Sequence, residues 1–185
     1  MDTSNLLAAN LLESTSVALA GGVRPAVADA LSALGARLVS YGPGDEDLDA
    51  EAWAAEHAPV HALVYDAAAS FADGGADALR DAVDDGWSAI QAVAGAALIP
   101  SRSGGAIVLI APHPAAGVHA TAVRAALENT ARTLSIEWAR FGITTTAITP
   151  GESSSDADIA TLVAFLVSPA GAYFSGCRFE LGAVG

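Results

Sequence analysis

Residues 118–151 read VHATAVRAALENTARTLSIEWARFGITTTAITPG. Val123, Leu127, Thr130, Leu134 and Trp138 recur at spacings of four, three, four and four, which is one face of a helix with a 3.6-residue period. Glu128, Arg132 and Arg140 fall off that face, so the helix is amphipathic. Gly142 follows the last periodic residues, where a helix commonly ends on glycine. Ile143 to Ile148 is then short and rich in β-branched residues, with Pro150 and Gly151 to stop it. A helix that turns within two residues into an apolar strand is half of an α/β unit.

Outward from this stretch, the chain repeats the same grammar. Ser16 to Ala20 reads as a first strand, followed by Gly21-Gly22 and by Pro25 at the first turn of a helix. Val27, Leu31 and Leu34 mark that helix, Gly35 closes it, and Ala36 to Ser40 reads as a second strand. His61 to Asp66 and Ala106 to Ala111 are further apolar strands, and Asp77 to Leu98 is a long helix carrying Trp87, Ile90 and Val93. Alternation of strand and helix predicts a parallel sheet with right-handed crossovers. Ser155 and Asp158 form a capping box for a helix with Ile159, Leu162, Val163 and Leu166 inward. Residues 1–15 mix polar residues with leucine and read as an N-terminal extension, with a short helix over Leu6 to Leu12; residues 16–185 form a single domain.

Composition narrows the function. The chain has 185 residues, enough for one domain with a sizeable core. Its net charge of −13 would repel a phosphate backbone, so neither nucleic acid nor an anionic membrane is an expected partner. All eight basic residues are arginine. The lack of lysine excludes a P-loop, Schiff-base chemistry and any Tyr-x-x-x-Lys pair. Cys177 stands alone, so no internal disulfide forms and a reducing, cytoplasmic compartment fits; its place near the last strand predicts a buried, inert thiol. The N-terminus has no basic region of the signal-peptide kind, and no apolar run reaches the roughly 18 residues of a membrane-crossing helix.

The run RAALENTARTLSIEWARFGITTTAITPG resembles the central helix and following strand of the short-chain dehydrogenase/reductase (SDR) family. The resemblance extends over Ser16 to Gly182 and is strongest after Gly104. It implies a doubly wound Rossmann-type fold. The path from Ser40 to His61 holds one helix only, so the outer third strand of the family should be missing. Six parallel strands in the family order 2-1-4-5-6-7 are expected. The helices over 77–98 and 118–140 should lie on one face, where the family builds a four-helix dimer bundle; Ala92, Ala96, Ala125 and Ala126 permit close approach.

The same resemblance implies what the site lacks. The family uses a Tyr to move a proton at the substrate oxygen, a Lys to lower that Tyr's pKa, a Ser to hold the oxygen and an Asn to support a water relay. The matching positions here are Ala120, Arg124, Ala111 (with Pro112) and Ala94. One branch of the family, the halohydrin dehalogenases, carries Arg at the Lys position but keeps the Ser and Tyr. A phenol of pKa about 10 needs a neighbouring cation to work near neutrality, and Tyr41, Tyr65 and Tyr173 have no basic residue four positions on. The family's three-glycine phosphate loop is cut to Gly21-Gly22, with Arg24 near the place of the last glycine, and the long substrate lid after Gly151 is reduced to a few serines. Candidates for cofactor contact are therefore Gly21, Gly22, Arg24, Asp66 at a strand end, and Pro150-Gly151 where a nicotinamide would rest. Arg24 reads first as an exposed first-turn residue and Asp66 as structural.

Other constellations are weak. Asp45, Asp47, Asp49 and Glu56 have calcium-loop spacing, but Ala50 stands where the glycine belongs, so a solvated start to a helix over Leu48 to His57 is the better reading. His57 and His61 are separated by Pro59 and share no helix face, and no metal site is expected. His113 between prolines reads as a loop residue, and His119 as a partly exposed residue at a helix start. The sequence thus predicts an SDR-like protein without catalytic residues or bound cofactor, acting as a homodimer or as the partner subunit of an active SDR. The alternative is an NAD- or NADP-dependent oxidoreductase, or a small-ligand-binding protein, that uses a non-standard site.

Overall fold

The computed structural model describes residues 8–42, 49–72 and 74–182. Six strands form one wholly parallel sheet: β1 (Ser16–Ala20), β2 (Arg37–Ser40), β3 (Ala62–Asp66), β4 (Gly105–Ile110), β5 (Ile143–Pro150) and β6 (Cys177–Leu181), in the order β2-β1-β3-β4-β5-β6. This is the expected trimmed Rossmann order, with β2 at one edge and no strand beyond it among the described residues. Register runs Val17 to Ala62, Leu63 to Ile107, Ile107 to Thr145 and Thr146 to Cys177.

Helices cover both faces, so the inner strands are apolar on both sides; every residue of β3 is buried. Helices α1 (Pro25–Ala33) and α6 (Asp156–Val167) close one face over Val17, Val64, Val108 and Ile148. Helices α2 (Ala50–His57), α3 (Ala76–Val93) and α5 (Ala120–Glu137) close the other over Leu63, Ile107, Leu109 and Ala147. The helical path of α3 continues through a π turn, Ala94–Leu98, into the short α4 (Ile99–Ser101), so it runs past Leu98.

The opening stretch folds as read, with adjusted ends. Val123, Leu127 and Leu134 are buried along α5, which spans Ala120–Glu137 within the expected 118–140. A 3-10 turn over Ala139–Phe141 follows, and Gly142 takes a left-handed φ of 70° that lets the chain enter β5 directly. The threonines of β5 suit a strand, and the buried Thr145 hydroxyl is satisfied by donating to the Ala131 carbonyl at 2.6 Å. The Ser155–Asp158 capping box starts α6 as expected, and its hydrogen bonds hold the Asp158 carboxyl below the usual carboxylate range.

Some expectations need correction. Cys177 is only partly buried, because it opens the edge strand β6. In the N-terminal segment, residues 9–14 form turns, and Leu6 and Leu7 lie outside the described residues. Leu12 is fully buried there, and its amide bonds the Leu34 carbonyl at 2.9 Å. Asp45, Asp47 and Leu48 also lie outside the described residues, while Asp49 caps α2 by accepting from the amides of Glu51 and Ala52.

Candidate functional site

In an open parallel sheet, ligands bind at the C-terminal ends of the strands, where the order of connections reverses. Here that crest carries Gly21-Gly22 after β1, Asp66 at the end of β3, Pro112-His113 after β4 and Pro150-Gly151 after β5. The structure gathers the sequence's candidates at this edge, and it gives each an internal partner.

Arg24 precedes α1 and turns its side chain inward to Asp66, which is completely buried. Arg24 Nε donates to Asp66 Oδ2 at 2.8 Å and Nη2 to Oδ1 at 3.0 Å, a bidentate fork. Asp66 also accepts from the Ala68 amide at 3.1 Å, and Arg24 Nη1 reaches Asp156 at the start of α6 at 3.3 Å. Only 15% of the Arg24 side chain is exposed, so the reading of an exposed first-turn residue is corrected. The pair links the start of α1, the end of β3 and the start of α6.

The two glycines have their own reason. A Cβ on Gly21 would run into the Asp66 carbonyl and lie 2.5 Å from the Tyr65 ring; on Gly22 it would lie 2.7 Å from Ala69 Cβ. On the other side of the ring, a Cβ on Gly86 of α3 would lie 2.8 Å from Tyr65 Cε1. The Tyr65 ring therefore sits between the β1 turn and α3, with its hydroxyl donating to the Ala82 carbonyl at 2.6 Å. Burial pushes the Tyr65 phenol well above its ordinary range, and the Asp85 and Asp66 carboxylates push the same way.

A prediction follows from that shift. Between about pH 10 and pH 11 the unfolded chain's Tyr65 loses its proton while the folded chain's does not, so the stability contribution is complete below about pH 10 and declines above it. Urea unfolding should show this decline at up to about 1.4 kcal/mol per pH unit, and Tyr65→Phe should lose that share of the slope.

Arg124 is also engaged. Its Nη1 donates to the carbonyls of Pro112 at 3.0 Å and Pro150 at 2.6 Å, tying the ends of β4 and β5 together. Burial lowers its pKa, though a guanidinium remains charged. A Cβ on Gly151 would collide with the Leu181 carbonyl, so that glycine lets β6 close against the end of β5. Ala94, Ala111 and Ala120 are wholly buried methyl groups.

A groove of about 460 Å³ remains at the crest, between Arg24, Phe71, Pro112, His113, Pro150 and Asp156. His113 Nδ1 accepts from the Ala115 amide at 3.2 Å, so its neutral ring carries the proton on Nε2. His119 sits at the start of α5 without capping it. Among the described residues, no three His, Cys, Asp or Glu side chains converge as metal ligands, and no helix is long and apolar enough to cross a membrane.

Sequence reading missed the Tyr65 wedge and the Arg24 fork. The one signal available for the first was a tyrosine at the end of a buried strand, with paired glycines after β1 and a lone glycine in α3.

No protein-family model matches the sequence, and no curated protein does. Solved structures do match. A citronellol catabolism dehydrogenase of Pseudomonas aeruginosa PAO1 superposes with a TM-score of 0.75 at 22% identity, covering 96% of this chain and 98% of that one. A hydroxysteroid dehydrogenase from Escherichia coli gives 0.72 at 18%, covering 95% and 99%. An acetoin dehydrogenase from Salmonella typhimurium gives 0.70 at 20%, covering 90% and 95%. The chain has the fold of the short-chain dehydrogenases, in trimmed form.

Proposed function

We propose that this chain is a non-catalytic SDR-fold protein that acts by assembly, as a homodimer or as the partner subunit of an active SDR. The observation that carries this reading is the crowded strand crest, where Arg24 is committed to the buried Asp66 and the Tyr65 ring packs against the Gly21 turn. The alanines at positions 94, 111 and 120 support it, since a methyl group moves no proton. The outer faces of α3 and α5 supply the assembly surface. They lie side by side over one layer of the core, and they expose Trp87 at 43% and Ile136 at 80% beside the partly exposed Ala92 and Ala96. The whole chain is 18.4 kDa, so a dimer has twice that mass in solution.

The test is calorimetric titration of NAD, NADH, NADP and NADPH into the protein with its mass recorded alongside. A dimer in which none of the four binds at the crest, and that falls to monomer when Ile136→Glu and Trp87→Asp are combined, is the expected result. A lone monomer that captures no SDR subunit overturns it.

One observation favours a second reading. The crest groove lies within the roughly 300–1,000 Å³ range of small-molecule sites and holds polar groups, Arg24, His113 and Asp156, among apolar walls. Nicotinamide nucleotide binding in the micromolar range, lost on Pro150→Trp, belongs to this reading of a ligand-binding or oxidoreductase site.

A further inference from the structure

The opposite edge of the sheet holds a different site. Six of the eight arginines are engaged within the protein. Arg24 binds Asp66 and Asp156, and Arg37 binds the Ser16 hydroxyl and the carbonyls of His57 and Pro59. Arg80 pairs with Asp77, Arg124 with two carbonyls, Arg132 with Glu128, and Arg178 with Glu128 and Glu180. Among the described residues, Arg102 and Arg140 alone make no side-chain hydrogen bond or ion pair. Both line one crevice of about 580 Å³, under the N-terminal ends of β4 and β5.

The crevice is organised. Arg140 lies over the Phe141 ring, its guanidinium carbon 4.5 Å from the ring centre, which limits where it can point. Arg102 takes φ 54° and ψ 17° as the left-handed residue that ends the helical path after Ser101, which fixes where its side chain leaves the backbone. Gly104 and Gly142 bring the two connections together: a Cβ on Gly104 would lie 2.7 Å from the Gly142 carbonyl. Their contact places both arginines on one opening. Gly104 lines the opening as well, and its amide bonds no other described group.

The local charge runs against that of the molecule. The chain carries 21 acidic residues to eight basic ones, yet no carboxylate lines this crevice. None lines the adjoining crevice either, which shares Ser103, Gly104 and Gly142 and extends to His61. Glu137, three residues before Arg140, pairs with neither arginine among the described residues. In a protein of net charge −13, an acid-free recess with two unpaired guanidiniums is selective for anions.

We propose that this recess binds a phosphate-bearing small molecule. One guanidinium saturates a carboxylate with its planar fork, whereas two forks and a backbone amide match the larger set of acceptor oxygens on a phosphomonoester or pyrophosphate. The site lies at the far edge of the sheet from the crest, so it stands or falls apart from the assembly reading.

Inorganic pyrophosphate is the probe, titrated calorimetrically into the full chain, with citrate as the carboxylate comparison. The expected result is that pyrophosphate binds with shifts of the Gly104 and Gly142 amide resonances and that citrate binds far more weakly. Arg140→Gln and Arg102→Asn, the latter chosen because asparagine tolerates the left-handed conformation, each weaken binding about tenfold or more. Arg80→Gln leaves it unchanged. Both arginines are exposed, and thermal melts establish that the variants fold. Absence of pyrophosphate binding, binding by both arginine variants as tight as by the unaltered protein, or citrate binding as tight as pyrophosphate overturns the proposal. A dinucleotide signal abolished by Arg140→Gln belongs to this recess; one that survives belongs to the crest.

Discussion

Arg24→Ala is expected to destabilise the fold by about 3 kcal/mol. Asp66 has no solvent exposure, and the fork from Arg24 supplies two of its hydrogen bonds. Truncating the arginine strands a buried carboxylate with only backbone amides to answer it. An exposed ion pair would lose less than about 1 kcal/mol on the same change. Denaturant unfolding separates the two outcomes: the midpoint should fall while the slope stays constant. Arg24→Met combined with Asp66→Leu should recover much of the loss, because replacing both charges leaves nothing unpaired. Arg24→Ala should still fail to bind a nicotinamide nucleotide, since the Tyr65 ring and the crowding of Gly22 by Ala69 remain.

The elements were readable from sequence wherever local chemistry sets them. The period of Val123, Leu127 and Leu134, the left-handed Gly142 and the β-branched run after it specify α5, the turn and β5 without outside help. The order came with the family resemblance, and the missing outer strand from a length: the path from Ser40 to His61 is too short for a further strand and helix. The site was legible only as a set of positions. Arg24 and Asp66 are 42 residues apart, and nothing in the residues around Arg24 says that its side chain turns inward. The convergence of Arg102 and Arg140 depends on Gly104 meeting Gly142, a contact between two connections that no periodicity encodes. Trp87 shares a helix with Ile90 and Val93, and its place on the outside is set by which side of α3 meets the sheet. In each case the missing information is tertiary, and Gly21-Gly22 shows the hazard. The pair reads as the remnant of a phosphate loop, yet its small size is fully used by Tyr65, Asp66 and Ala69.

That last point yields a test whose sign carries the answer. Gly86 lies inside α3, where exchanging glycine for alanine ordinarily stabilises a helix by about 1 kcal/mol. Here Gly86→Ala is expected to destabilise by about 1–2 kcal/mol, because the new methyl meets a ring that cannot retreat. Its Cβ would lie 2.8 Å from Tyr65 Cε1, the far side of the ring is against Gly21, and the hydroxyl is tied to the Ala82 carbonyl. In a Tyr65→Leu background the obstacle is gone and the ordinary helix preference returns, so Gly86→Ala should then stabilise. The difference between the two backgrounds, about 2–3 kcal/mol by urea unfolding, is the coupling between ring and helix. A gain from Gly86→Ala in the presence of Tyr65 would mean that the ring yields. A ring that yields on the α3 side could also swing away from Gly21, which would reopen the β1 turn to a pyrophosphate. A ring that holds keeps that turn closed to a pyrophosphate even when Arg24 is removed, and leaves a ligand only the groove beside Arg24 and His113.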